Sequence, residues 1–218
     1  MVERLNLTEP GVCSVTRSWK RGARVLGVAE SFSPSAGRSI VAGVVMRSDL
    51  RIDGVGFCRP RVGGMDITDE LLQMSGRLNR PDVRAWMLGG SIVSWFNVVD
   101  LNRLHAESGM PVICVSYSSS DGVDDYLREY FPTDWHQRAE IIRRNGERIL
   151  VPIRTGHSVY LNVVGMDRDT ARHVINMFVI EGRIPEPIRL ARQFAAGIRR
   201  DFPWLLEPAS TDDEPDDL

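Results

Sequence analysis

The sequence predicts an α/β fold: a mixed sheet in which three antiparallel strands are continued by parallel ones, with helices flanking it. Two observations carry this expectation. Three apolar, strand-like runs between residues 24 and 58 follow one another with no helical stretch between them, and strands joined by short connections pair antiparallel. From residue 66 to 116 helical and strand patterns then alternate, the signature of a sheet continued in parallel.

Arg24 to Glu30 reads as a buried strand, and Ser31 to Arg38, rich in Ser, Pro and Gly, as the loop that ends it. Ser39 to Arg47 is a second apolar strand. Leu50 to Cys58 is a third, with Ile52, Gly54, Gly56 and Cys58 on one side and Asp53, Val55 and Phe57 on the other. Asp66 to Leu78 then reads as a helix, Val83 to Leu88 as a strand, Val98 to Glu107 as a helix and Pro111 to Ser116 as a strand. Beyond Ser120 come helical patterns at Val123 to Tyr130 and Asp134 to Asn145, and strands at Arg148 to Arg154 and Val159 to Val164. Two helices close the series, Arg168 to Ile180 and Pro187 to Arg200. Proline suits the first turn of a helix, where its missing N–H would have no partner. Ile188, Ala191, Phe194, Ala195 and Ile198 recur at helical spacing, which leaves Arg189, Arg192, Arg199 and Arg200 wet. This order of elements matches ribonuclease H-like domains. No linker or internal repeat divides the chain, so one domain is expected over residues 1–206, followed by an acidic, disordered tail over 207–218.

A chain of 218 residues with 43% hydrophobic content is long enough for one sizeable core. The uncharged stretch from Leu88 to Val99 is too short to span a bilayer, and no charged-then-apolar leader opens the chain. A cytoplasmic protein with no membrane partner is therefore expected. Cys13, Cys58 and Cys114 lie far apart without metal-type spacing and read as core or spare thiols. The net charge of −2 conceals a mildly basic body, because Asp212, Asp213, Glu214, Asp216 and Asp217 crowd the last seven residues. Lys20 is the lone lysine in a chain whose other cations are arginines. Such a body is compatible with a phosphate-bearing partner without requiring one.

Sites in open α/β sheets form outside the carboxyl ends of the strands. Glu30 ends the first strand; Asp66, Asp69 and Glu70 start the helix after Gly63-Gly64; Trp95, Phe96, Asn97 and Asp100 follow Gly89-Gly90. If these ends lie side by side, Glu30 with Asp66 or Asp69 can hold a hard divalent cation such as Mg²⁺ or Mn²⁺, which prefers carboxylate oxygens. Each acid also has a structural explanation. Acids in a first helical turn favour the positive end of the helix dipole, and Asn97 with Asp100 resembles a capping box. Glu30 ends a run whose neighbours should be buried, and a buried acid needs a partner, a proton or a metal. Trp95 and Phe96 offer faces for stacking on a base or for capping a core. The four histidines form no metal set, and His157 sits in a turn between two strands.

Four segments carry a resemblance: Arg24 to Phe32, Val62 to Asp69, Trp95 to Leu101, and Ile184 to Ala191. In this order and spacing the chain resembles an archaeal endonuclease dU-like family, itself related to endonuclease V, over about residues 24 to 200. The Pro185-Glu186-Pro187-Ile188-Arg189-Leu190-Ala191 run is similar to a segment near the end of endonuclease V. The resemblance implies a ribonuclease H-like fold and Mg- or Mn-dependent cleavage of a phosphodiester near a deaminated base, with DNA ahead of RNA as partner. It further implies a three-carboxylate centre: one acid on the first strand, one opening the helix after the third strand, and one ending the fourth strand. Glu30 and Asp66, or Asp69, match the first two, with a one-residue ambiguity between Ala29 and Glu30; the third position falls on Gly89. Asp100 and Asp167 are the acids able to stand in for it. The tyrosine-containing wedge is replaced by Arg59-Pro60-Arg61-Val62, and a histidine expected near Gly165-Met166-Asp167 is missing.

The leading expectation is thus a divalent-metal-dependent endonuclease with Glu30, Asp66, Asp69 and Asp100 as catalytic acids and Glu30 and Asp66 as metal ligands. Trp95, Phe96, Asn97 and Arg189 are the expected substrate contacts, Arg189 also being suited to hold the last helix against the sheet. The alternative is a non-catalytic relative that binds nucleic acid or a nucleotide. A homo-oligomer is compatible with either.

Overall fold

A computed structural model describes residues 19–20, 22–118 and 123–207. Strands β1 (Arg24–Ser31), β2 (Ile40–Arg47) and β3 (Ile52–Cys58) form an antiparallel meander. Helix α1 (Ile67–Leu78) leads to β4 (Val83–Leu88), which pairs parallel to β1. A two-stranded ribbon, β5 (Ile92–Val93) and β6 (Asn97–Val98), precedes α2 (Leu101–Ser108) and then β7 (Val112–Ser116), parallel to β4. Helices α3 (Val123–Tyr130) and α4 (Trp135–Arg144) lead to the hairpin β8 (Ile149–Pro152) and β9 (Ser158–Val164); α5 (Arg168–Phe178), α6 (Glu186–Asp201) and a 3-10 turn at Pro203–Leu206 end the described chain. The seven-stranded sheet runs β3-β2-β1-β4-β7-β9-β8. Its far edge differs from its centre, because β9 lies antiparallel to both β7 and β8. The expected helix from Val98 begins only at Leu101, since Asn97–Val98 is engaged in the β5–β6 ribbon.

Side chains alternate across β1 and divide the core in two. Leu26 and Val28 face α1 and α2, among Val41, Ile67, Leu71 and Leu101. Val25 and Ala29 face α5 and α6, among Val174, Phe178, Ile188 and Ala191. A sheet buried on both faces needs nearly continuous apolar strands, which explains why β1 and β2 read as unbroken hydrophobic runs. Cys58 and Cys114 are free and buried, and burial pushes the Cys114 thiol up to about 11. Cys13 and the acidic tail beyond Glu207 lie outside the described residues. Among the described residues no helix is long and apolar enough to cross a membrane.

Helix α6 crosses β1 closely enough to require a residue without a side chain. A Cβ on Gly27 would land against the Pro187 Cβ and within 2.5 Å of the Pro187 carbonyl carbon. Backbone that close cannot rotate out of the way, so the proline that starts the helix and the glycine in the strand are matched surfaces. Gly27→Ala is expected to destabilise the fold by roughly 3 kcal/mol, at the upper end of overpacking costs, read as a shift in the urea unfolding midpoint.

Candidate functional site: a left-handed turn at the carboxyl edge of the sheet

The carboxyl ends of β1 and β4 meet the β5–β6 ribbon, whose tip is the most strained backbone among the described residues. Ser94, Trp95 and Phe96 all adopt left-handed conformations, with φ of 48°, 59° and 58°. Each such L-residue costs about 1–2 kcal/mol, and such geometry persists only where the surroundings over-determine it. Several bonds do so here. The Ser94 N–H and Oγ–H both donate to Glu30 Oε2, the latter at 2.8 Å. Ser39 Oγ lies 2.5 Å from Ser94 Oγ, and because the Ser94 hydroxyl hydrogen is committed to Glu30, Ser39 is the donor of that pair. The Gly63 N–H donates to the Ser94 carbonyl at 2.7 Å.

Arg138 fastens the other side of the turn. It is only 2% exposed, and its guanidinium donates to the carbonyls of Phe96 (2.7 Å), Gly64 (2.9 Å) and Gly63 (2.8 Å) and to Asp134 (2.7 Å). The same guanidinium lies 3.9 Å above the Phe131 ring. Sequence reading had no hold on Arg138, because helical spacing alone cannot distinguish a buried arginine from a wet one; the signal available was Asp134 four residues earlier, a helical ion-pair spacing. Ser39, Ser94 and the α3 tyrosines Tyr126 and Tyr130 were equally hidden, since their importance depends on which strands and loops become neighbours.

Glu30 resolves the one-residue ambiguity on the first strand. It shares the α1 face with Leu26 and Val28, toward Ile67 and the turn, whereas Ala29 packs with Ile188 on the α6 face. Burial holds the Glu30 carboxyl above the usual carboxylate range, an effect partly offset by the two Ser94 donors and the charge of Arg192. Between an ordinary carboxylate pKa and the raised one, the native protein binds more protons than the unfolded chain, so its stability falls as pH rises.

Asp66 stands where α1 begins but does not cap it. Its oxygens accept the Arg61 N–H, at 3.2 Å each, and the Asn97 Nδ2–H at 2.7 Å. Asn97 supplies the missing cap by accepting the Ile67 N–H at 3.2 Å. This corrects the capping-box expectation: Asn97 serves α1 because its own helix has not yet begun, and Asp100 caps α2 by accepting the Arg103 N–H at 3.0 Å, while Asn145 accepts the Leu101 N–H at 2.9 Å. The other oxygen of Asp100 pairs with Arg144 at 2.9 Å, and exposed Asp69 pairs with Arg103 at 2.6 Å. Asp167 caps α5 through Thr170. Arg189 chelates buried Glu186 one turn earlier in α6, at 2.9 and 3.0 Å, so it locks the helix start that packs on β1. His157 is exposed in the β8–β9 turn.

The donor set does not fit a three-carboxylate metal centre. The position ending the fourth strand, Gly89, points at α6: a Cβ there would lie 2.8 Å from Ile188 Cγ2 and 3.8 Å from the Ala29 Cβ. Ala29, Gly89 and Ile188 thus close an apolar contact on one face of the sheet, while Glu30 occupies the other. Asp66 has both oxygens engaged by internal donors. Among the described residues no three His, Cys, Asp or Glu side chains gather as a metal group.

Two measurements check this geometry. Arg138→Ala is expected to cost about 3–5 kcal/mol in a denaturant titration, since it strands Asp134 and three carbonyls. Comparing wild type with Glu30→Gln across the acid range should show wild type gaining relative stability as pH falls through the raised Glu30 pKa; a difference that stays flat with pH would refute the buried-carboxyl assignment.

With this geometry established, comparison with known proteins is informative. The family model described as Endonuclease dU matches residues 21–199. A UPF0215 protein of Pyrobaculum calidifontis is 35% identical over 175 residues, covering 80% of this chain and 96% of the relative. A crystal structure of a protein of unknown function from Archaeoglobus fulgidus superposes with a TM-score of 0.71 at 27% identity, covering 80% of this chain and 97% of that one. Endonuclease V of Ciona intestinalis, solved with DNA containing an inosine followed by a ribo-adenosine, superposes with a TM-score of 0.56 at 13% identity, over 83% of this chain and 87% of that one. At that identity the likeness speaks for the fold alone, which is ribonuclease H-like as the order of elements predicted. The four segments that carried the resemblance fall within the span matched by the family, and the chain belongs to the Endonuclease dU family.

Proposed function

We propose that this protein binds nucleic acid at the carboxyl edge of β1 and β4, as a nuclease-related recognition protein in which the three-carboxylate chemistry of endonuclease V is not assembled. The observation that carries this reading is the packing of Gly89, the position that ends the fourth strand, against Ile188 and Ala29, together with the engagement of Asp66 by Arg61 and Asn97. Glu30 then serves to hold the left-handed turn and its aromatic side chains at the edge of the sheet. Membership of the Endonuclease dU family and the DNA held by a structural neighbour support nucleic acid as the partner, with DNA as the first choice.

The test uses DNA strands containing uracil or hypoxanthine, and unmodified controls, with Mg²⁺ or Mn²⁺, comparing wild type with Glu30→Gln. The expected result is binding by wild type without cleavage above the background given by Glu30→Gln. Metal-dependent cleavage that Glu30→Gln abolishes would overturn this reading and restore the endonuclease with Glu30 as a catalytic acid.

A further inference from the structure

Helix α3 is held by a single buried side chain, Leu127, yet it carries two tyrosines on one face. Tyr126 and Tyr130, four residues apart, are 55% and 47% exposed. Both turn toward the strained tip of the β5–β6 ribbon. Tyr130 meets Trp95 edge-on, with centroids 5.3 Å apart, and Tyr126 faces Phe96 at an interplanar angle of 25° with centroids 6.4 Å apart. Phe96 is itself braced edge-on by Phe131 and Trp95, at 5.8 and 5.7 Å. One ring of the Phe96–Tyr126 pair is therefore fixed by the core of the turn, and the other stands in solvent on a lightly held helix. At 6.4 Å the two rings lie within the ordinary range for an interacting aromatic pair, and Tyr126 keeps more than half of its surface open to a further ring.

The backbone strain fits this arrangement. Three left-handed residues cost several kcal/mol in total, and what they achieve is to set Trp95 and Phe96 half-buried against the rings of Tyr126, Tyr130 and Phe131 while Ser94 and Asn97 stay buried. Cations border the same loop. Arg38, Arg59 and Arg61 lie together, Arg38 bridging to Arg61 and donating to the Arg59 carbonyl, and among the described residues none of the three forms an ion pair with a carboxylate. Arg61 is exposed and lies two residues before Gly63, where a Cβ would come within 3.5 Å of both Phe131 and Trp95. On α3 itself Asp124, Asp125 and Glu129 offset Arg128. Affinity at the tyrosines therefore comes from stacking, and phosphate contact from the arginine side.

We infer that Phe96 and Tyr126, walled by Trp95 and Tyr130, form a cleft that takes an unpaired nucleobase of a single strand, with the adjoining phosphates toward Arg61. This rests on the nucleic-acid reading and deepens it by naming an unpaired strand as the ligand class. Aromatic faces bind bases with little regard to sequence, and a paired duplex cannot offer one.

Fluorescence anisotropy with a labelled single-stranded oligodeoxythymidine, and with the same strand paired to its complement, tests the cleft. Wild type is expected to prefer the single strand. Tyr126→Ala and Tyr130→Ala should each weaken single-strand binding by roughly 5- to 100-fold, while Tyr126→Phe, which keeps the ring, should retain it. Both tyrosines are exposed, so circular dichroism should show the Ala variants folded. Single-strand binding by wild type that both Ala variants match would overturn the cleft and leave the nucleic-acid reading standing. Failure of wild type to bind either probe would overturn that reading and the cleft with it.

Discussion

The contact on which this site depends is the pair of hydrogen bonds from Ser94 to Glu30. A carboxyl group at the end of a buried strand is costly unless it finds donors, and a backbone turn with three left-handed residues is costly unless something holds it. Each supplies what the other lacks. Glu30 takes the N–H and hydroxyl of Ser94, and the serine in turn keeps the tip of the ribbon over the strand ends. Ser39 from the start of the second strand and Arg138 from α4 extend the same network to both sides. The result is an edge in which the polar atoms of the turn are buried and its aromatic rings sit half-buried beside α3.

The opposite face of β1 follows a different constraint. There Gly27 admits Pro187, Ala29 and Gly89 admit Ile188, and the Glu186–Arg189 pair fixes the first turn of α6. A helix that approaches a strand this closely leaves no volume for carboxylates between them. The Pro185 to Ala191 run, read from the sequence as resembling endonuclease V, is thus the one that packs α6 on the sheet. It preserves the architecture, and in this chain the side chains it meets are apolar. At residues 29 and 89 only methyl and hydrogen stand on the face that α6 covers.

Most of the fold was legible in the sequence because its elements obey local rules. The runs from Arg24 to Glu30 and from Ser39 to Arg47 are apolar without interruption, as strands buried on both faces must be, and the alternation after residue 66 required a parallel continuation. A capping role for Asp100 was legible in its spacing from Asn97, although the expected helix from Val98 placed it inside the first turn and not at the cap. The antiparallel far edge was not legible, since β9 pairs with β7 across two intervening helices and a hairpin. The late start of α2 was missed for the same reason: the pairing of Asn97 with Val93 competes with helix formation, and that competition is settled outside the window in which helical periodicity is read.

The candidate site divides along the same line. Glu30, Asp66, Trp95 and Phe96 are conspicuous in the chain because acids at strand ends and adjacent aromatics in a short loop are chemically unusual. Which way Glu30 points, that Ser94 bonds it, and that Asn97 and Arg138 fasten the rest of the turn, follow only from tertiary structure. By itself the sequence determined the order of most strands and helices, which rests on periodicity within a few residues, and the family, which rests on the resemblance carried by its four segments. The tertiary structure decided that Glu30 and Ala29 face opposite sides of the sheet and that Gly89 packs on Ile188, because side-chain direction on adjacent strand residues and the approach of α6 are set by packing between segments far apart in the chain.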